Sequence, residues 1–395
     1  MSELAELLAD RHILVCVGPG GVGKTTTAAA LALRAAEEGR RTIVCTIDPA
    51  RRLAQSLGLG SLDNSPRRIK VESAQRRAPE LWGMMLDMKS TFDDMILDMT
   101  SPERAKQIFA NPFYQHISST LSGTQEYMAM EKLWELHEEG RWELIVLDTP
   151  PTRSALDFLD APKKVTDFLE GRFLRLLLWP YLYAGKTYLK AVNFGAKAFL
   201  KVATKITGSE LLADVANFFM AFEGMYDTFK DRSKRVHELL AAKRTGFVVV
   251  SVPQGASLRE ARYFVQRLGA EHMPLGGVVM NRTHVVPATP GLEDPRALAE
   301  RARAAGDGRV LAPALDLYAS WREISLREDD AVKAALGDLT EVPVWRVADL
   351  ADDVHDVPSL RRVAEELLGP LPERPARSVV QPANEKSEKN RTREG

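Results

Sequence analysis

Eight consecutive residues, Gly18-Pro19-Gly20-Gly21-Val22-Gly23-Lys24-Thr25, carry the spacing G-x-x-x-x-G-K-[ST]. Glycines in such a run let the backbone wrap closely around phosphate groups, so that successive N–H groups face the anion. Here Gly20, Gly21, Val22 and Gly23 would form that cradle, and Lys24 would reach the β- and γ-phosphates. Thr25 has the hydroxyl that ligates Mg²⁺ in such sites, and Thr26 extends the same turn. The chemistry predicted is binding and hydrolysis of a Mg-nucleotide.

Two carboxylates could complete that site. Asp148 ends the apolar run Leu144-Ile-Val-Leu147, and Asp48 ends a second such run in Thr46-Ile-Asp-Pro-Ala50. An acid at the C-terminal end of a buried strand beside a phosphate loop can hold Mg²⁺, the role predicted for Asp148. Either aspartate could instead cap a helix, the common use of Asp after a strand. Base recognition points to Asn281, which follows the run Gly276–Met280. Its amide can both donate to and accept from an adenine edge, whereas no Asn-Lys-x-Asp run for guanine occurs there. ATP is therefore favoured over GTP, with a plain turn residue as the other reading of Asn281.

These residues need rigid elements behind them. Ile13–Gly18, Thr42–Ile47, Glu143–Leu147, Gly246–Val252, Gly276–Met280 and Val342–Val347 read as buried strands, and Lys24–Glu38 as a helix stopped at Gly39. Strands of this kind with helical stretches between them predict an α/β fold, a doubly wound and mostly parallel sheet. From about Leu81 to Ala242 only Glu143–Leu147 reads as a strand, and nine of the twelve methionines fall there. This predicts a discontinuous ATPase core over 11–75, 141–160 and 244–369, with a helical insertion subdomain over 76–140 and 161–243. The segment 370–395 is Pro-rich, then charged, and reads as a disordered tail.

Composition narrows the function further. The chain has 395 residues, 45% of them hydrophobic, enough for one large or two ordinary domains. A formal net charge of -1 predicts no nucleic-acid partner. Cys16 and Cys45 both sit inside apolar runs, with no zinc or disulfide pattern, which fits a cytoplasmic location. The start MSELAELLADRH does not read as a signal peptide, and no apolar run is long enough to span a bilayer. The seven histidines form no ligand-spaced cluster, so Mg²⁺ is the one metal expected.

Together the motifs resemble the arsenical pump-driving ATPase (ArsA) and tail-anchored-protein targeting ATPase family. Gly18–Thr26 matches its deviant Walker A loop, Asp48-Pro-Ala50 its switch I and Leu147-Asp-Thr-Pro-Pro-Thr152 its switch II, with Met280-Asn-Arg near the adenine. Gly123–Met130 and Ser154–Pro162 resemble an actinobacterial, anion-transporting type within the family. The resemblance implies that Asp48 orients the attacking water. It also implies a dimer with two facing ATP sites. Three departures stand out. Pro19 replaces a lysine that reaches the other subunit's phosphates. Arg51 and Arg153-Ser154 replace the usual switch histidine and Gly-His pair. The family's zinc- or arsenite-binding cysteines have no counterpart. The implied partner is thus a second copy or a related ATPase that carries the signature lysine.

The insertion holds a basic segment, Gly171–Gly208, with Arg172, Arg175, Lys186, Lys190, Lys197, Lys201 and Lys205 and no acid. Val192, Ala196, Phe199, Ala203 and Ile206 give it an amphipathic face, with Lys197, Lys201 and Lys205 on a separate stripe. It reads as a packed helix, a lid over a hydrophobic client, or a helix lying on an anionic membrane surface. The functions left open are an ATP-driven switch, peripheral at the membrane or cytoplasmic, and a non-hydrolysing regulatory subunit. A metabolic P-loop kinase ranks third, for want of an acceptor pocket.

Overall fold

The computed structural model describes residues 3–47, 52–59, 61–72, 79–120, 124–149, 225–286, 294–305, 309–339 and 342–369, with positions 214, 215, 217, 218, 220, 221, 289 and 292. Asp48, the basic segment Gly171–Gly208 and the tail 370–395 lie outside these residues, as does switch II beyond Thr149.

Eight strands form one sheet: β1 (Ile13–Val17), β2 (Thr42–Thr46), β3 (Arg67–Ile69), β4 (Leu81–Met85), β5 (Leu144–Asp148), β6 (Thr245–Ser251), β7 (Leu275–Thr283) and β8 (Val344–Ala348). Their order is β3-β4-β2-β5-β1-β6-β7-β8. Every pair is parallel except β3 with β4. The inner strands are buried on both faces, which is why β1, β2, β5 and β6 read as unbroken apolar runs rather than as alternating ones. All six strands expected from the sequence are present, with ends displaced by at most three residues, the largest shift being at the end of β7, which runs on to Thr283.

The stretch Leu81–Met85, read above as helical, is a correction. Leu-Trp-Gly-Met-Met has no β-branched residue and holds good helix formers. It is extended because it pairs with β2 along its whole length, Thr42 to Leu81 through Thr46 to Met85. Leu81 packs into the core on one face and Met84 into the core on the other. The edge strand β3 escaped notice because it has three residues, two of them exposed arginines, a composition that suits an unpaired edge.

One face of the sheet is covered by α1 (Glu3–Asp10), α2 (Lys24–Glu37), the short α3 (Arg52–Ser56) and α12 (Val357–Leu368). The other is covered by the run α4 (Met88–Met99), α5 (Pro102–Phe109), α6 (Pro112–Thr120) and α7 (Thr124–Glu138), followed after β5 by α8 (Tyr226–Ala241) and α9 (Gly255–Ala270). Helices α10 (Pro295–Ala304) and α11 (Leu311–Leu336) form a hairpin between β7 and β8. Five methionines of the helical side, Met84, Met95, Met128, Met130 and Met225, are core residues, whereas Met220 is exposed. A buried ion pair ties α7 to α8: Arg232 reaches Glu131 at 2.5 Å, and Tyr127 donates to the same carboxylate. Burial raises the Glu131 pKa, opposed by the neighbouring Arg232 charge.

Candidate functional site

The central strand β1 delivers the chain into the phosphate loop, and α2 receives it. Two glycines are fixed by geometry. Gly18 has φ +151°, and a side chain there would run into the Val250 carbonyl oxygen. Gly23 has φ +95° at the start of α2, and a Cβ there would strike the Asn281 amide. Lys24 is buried, and its ammonium donates to the carbonyls of Gly18 (3.0 Å) and Pro19 (2.8 Å), folding back over the loop it follows.

Beneath the loop lies Asp148, with no exposed surface. Parallel pairing places it beside Cys16 on β1 and Thr46 on β2. The hydroxyls of Thr25 and Thr46 both donate to its Oδ2, each at 2.7 Å. Thr25 thereby gives its proton away and keeps its oxygen lone pairs for a cation, beside a buried negative charge. That donor set fits a hard divalent ion such as Mg²⁺. Thr149 turns away and donates to the Cys16 carbonyl at 2.8 Å. Burial, reinforced by the Asp148 charge, pushes the Cys16 thiol up, and burial pushes Cys45 up to about 12. Both cysteines are protonated packing residues, as their apolar surroundings suggested.

Asn281 reaches the loop from β7, its Nδ2 donating to the Val22 carbonyl at 2.9 Å. A bulge aims it there. Met280 pairs with Arg346 and Thr283 with Ala348, so Asn281 and Arg282 together oppose Val347. Arg282 takes the left-handed conformation, φ +55°, which a non-glycine residue rarely adopts. Gly21, Gly23, Lys24, Asn281 and Arg282 line one side of a cavity of about 950 Å³ whose other wall is the loop Asp349–His355 after β8.

The structure thus brings Gly20, Gly21, Val22, Gly23, Lys24, Thr25 and Thr26 onto one turn, with Asp148 below and Asn281 beside it. Asp48 lies outside the described residues. Three features were missed. Thr46 could have been found, since it ends the same strand run that leads to Asp48. No property of an arginine announces the backbone of Arg282. The loop Asp349–His355 has only scattered acids to recommend it. Pro19, in the place of the signature lysine, is buried and turned toward Lys24 through its carbonyl.

A strand–glycine loop–helix unit on a parallel sheet, with a buried aspartate at the end of the neighbouring strand, defines a P-loop ATPase. The family described as "Anion-transporting ATPase" matches residues 11–304, and the chain belongs to that family as one of its ATPases. It is 26% identical over 285 residues to "ATPase ASNA1 homolog 1" of Paramecium tetraurelia, covering 67% of this chain and 73% of the relative. It is 26% identical over 311 residues to "ATPase GET3" of Malassezia globosa (strain ATCC MYA-4612 / CBS 7966), covering 78% and 81%. "Putative arsenical pump-driving ATPase 1" of Aquifex aeolicus (strain VF5) is 26% identical over 267 residues, covering 64% and 58%. No helix among the described residues is long and apolar enough to cross a membrane.

The shared Asp148 contact yields a prediction. Thr46→Val removes one donor to the buried carboxylate while keeping the side chain's volume. Hydrogen bonds to charged groups are worth roughly 1.5–3 kcal/mol. The Mg²⁺ concentration needed for half-maximal binding of a fluorescent ATP analogue should rise about tenfold, with Thr46→Ser restoring it. An unchanged Mg²⁺ midpoint in a folded Thr46→Val protein would show that Thr25 alone orients the carboxylate.

Proposed function

We propose that the chain binds Mg-ATP at Gly18–Thr26 and hydrolyses it, and that the nucleotide state switches its association with a partner. The observation that carries this reading is the meeting of Thr25 and Thr46 on Asp148 directly under a glycine loop that opens on a nucleotide-sized cavity. Mg²⁺, when bound, would neutralise charge developing on the phosphate oxygens. Thr25 and Asp148 would hold it, directly or through water. Lys24 would exchange the carbonyls of Gly18 and Pro19 for the β- and γ-phosphates. Asn281, with its donor on Val22, would offer its oxygen to the adenine amine, and its link to the loop would join base recognition to phosphate recognition. Asp48 would polarise the attacking water; it follows two residues after Thr46 in the sequence.

We also propose a paired assembly. In this reading Lys24, Asp48 and Asp148 make the active half, while the lysine that Pro19 lacks comes from a related subunit. Pro19 has neither a charge nor an N–H to supply, so a second copy of this chain would lack the group as well, which favours a related subunit. The basic segment Gly171–Gly208 would engage a hydrophobic client or an anionic membrane surface, making the protein cytoplasmic or peripheral at a membrane. A regulatory, non-hydrolysing subunit is the second reading, favoured by the same proline.

Three sets of outcomes are expected. Lys24→Ala should lose Mg-ATP affinity by orders of magnitude in equilibrium binding, whereas Asp48→Asn should keep binding and lose turnover; normal affinity in Lys24→Ala would refute the site. A protein inactive with every partner would make the chain regulatory. Turnover measured alone and with a lysine-bearing relative from the same cell should rise on mixing; full activity alone, insensitive to the relative, would remove the need for a borrowed lysine. Replacing Lys197, Lys201 and Lys205 by Gln should weaken binding to vesicles containing phosphatidylserine, and equal binding by both proteins would return the segment to a packed helix.

A further inference from the structure

The bulge at the end of β7 sets two consecutive residues, Asn281 and Arg282, against Val347, and both line the cavity. In a regular strand two such neighbours would point to opposite faces of the sheet. Asn281 is engaged with the phosphate loop through the Val22 carbonyl. Arg282 has no such tie. It is exposed, and among the described residues no carboxylate pairs with it. Its backbone stands at φ +55°, a conformation that glycine takes far more readily than arginine. An arginine is thus held in an unfavourable backbone at the edge of a nucleotide-sized cavity, and the fold around it gives its charge no evident structural use.

The facing wall is pinned at both ends. The Asp349 N–H donates to the Thr283 carbonyl at 3.0 Å, and the Asp356–Ser359 capping box holds the start of α12. Between these anchors Leu350 and Val354 pack against the core and line the cavity. The cavity therefore has Arg282 on one side and a fixed apolar surface on the other. It is also polarised from end to end. Lys24 lies at the phosphate loop, whereas Asp349, Asp352 and Asp353 line the far wall. A triphosphate is drawn to the first end and repelled from the second. What comes to rest beside Arg282 is then the nucleoside half of the ligand. A purine ring offers a guanidinium no charge to pair with. It does offer a π face, on which a planar guanidinium stacks.

We propose that Arg282 stacks its guanidinium on one face of the bound purine, with Leu350 and Val354 against the other face. The inference rests on the Mg-ATP reading above and adds a binding residue to it. Asn281 and Arg282 then have separate tasks. Asn281 reads the edge of the ring, and with it the identity of the base. Arg282 holds the face, which every purine presents. The bulge is the device that brings both to one side of the strand, and the strained backbone of Arg282 is its cost.

The test compares two ligands on the full chain by calorimetry, Mg-ATP and Mg-tripolyphosphate, the second being phosphates without a base. Arg282→Gly accepts the positive φ and removes only the side chain, so its melting temperature should not fall. It should weaken ATP about tenfold, the worth of one stacking contact, and leave tripolyphosphate unchanged. Arg282→Lys keeps the charge but has no plane to stack, and should lose most of the same factor. An equal loss for tripolyphosphate and ATP would overturn the stack and make Arg282 a phosphate ligand. Full ATP affinity in Arg282→Gly, or full affinity in Arg282→Lys, would overturn it as well. A starting chain that binds neither ATP nor tripolyphosphate would overturn the Mg-ATP site itself, and the stack with it.

Discussion

A carboxylate with no exposed surface must be met by donors, and Asp148 is met by two threonines from two different elements. Thr25 belongs to the first turn of α2, Thr46 to the end of β2, and Asp148 itself to the end of β5. One oxygen therefore fixes the helix that follows the phosphate loop against two strands of the sheet. Strand order makes this possible: β5 lies between β1 and β2, so its last residue sits between the loop on one side and the β2 terminus on the other. Reordering these strands would leave the aspartate buried without its donors. The sheet is thus more than a scaffold, because its parallel pairing is the means by which three separate stretches of sequence share one charge.

The same economy of contacts holds above the loop. Asn281 bonds the Val22 carbonyl and leaves no room for a side chain at Gly23, so loop and β7 define each other. The bulge at Asn281 and Arg282 is the local irregularity that turns the amide toward the loop. An irregularity of this kind costs ladder hydrogen bonds and places an arginine at positive φ. It lies at the mouth of the cavity, on the ligand side of the sheet.

Much of this was legible in the sequence because the inner strands are buried on both faces and the phosphate loop has a spacing with a mechanism behind it. The runs at Ile13, Thr42, Leu144 and Phe247 needed no tertiary knowledge. β4 was not legible, because Leu-Trp-Gly-Met-Met takes its conformation from β2 rather than from its own preferences. The methionines marked out the helical side by number alone, and five of them fill the core, where a flexible thioether suits irregular gaps. Thr46 was overlooked for a different reason: attention to carboxylates passes over the hydroxyls that hold them.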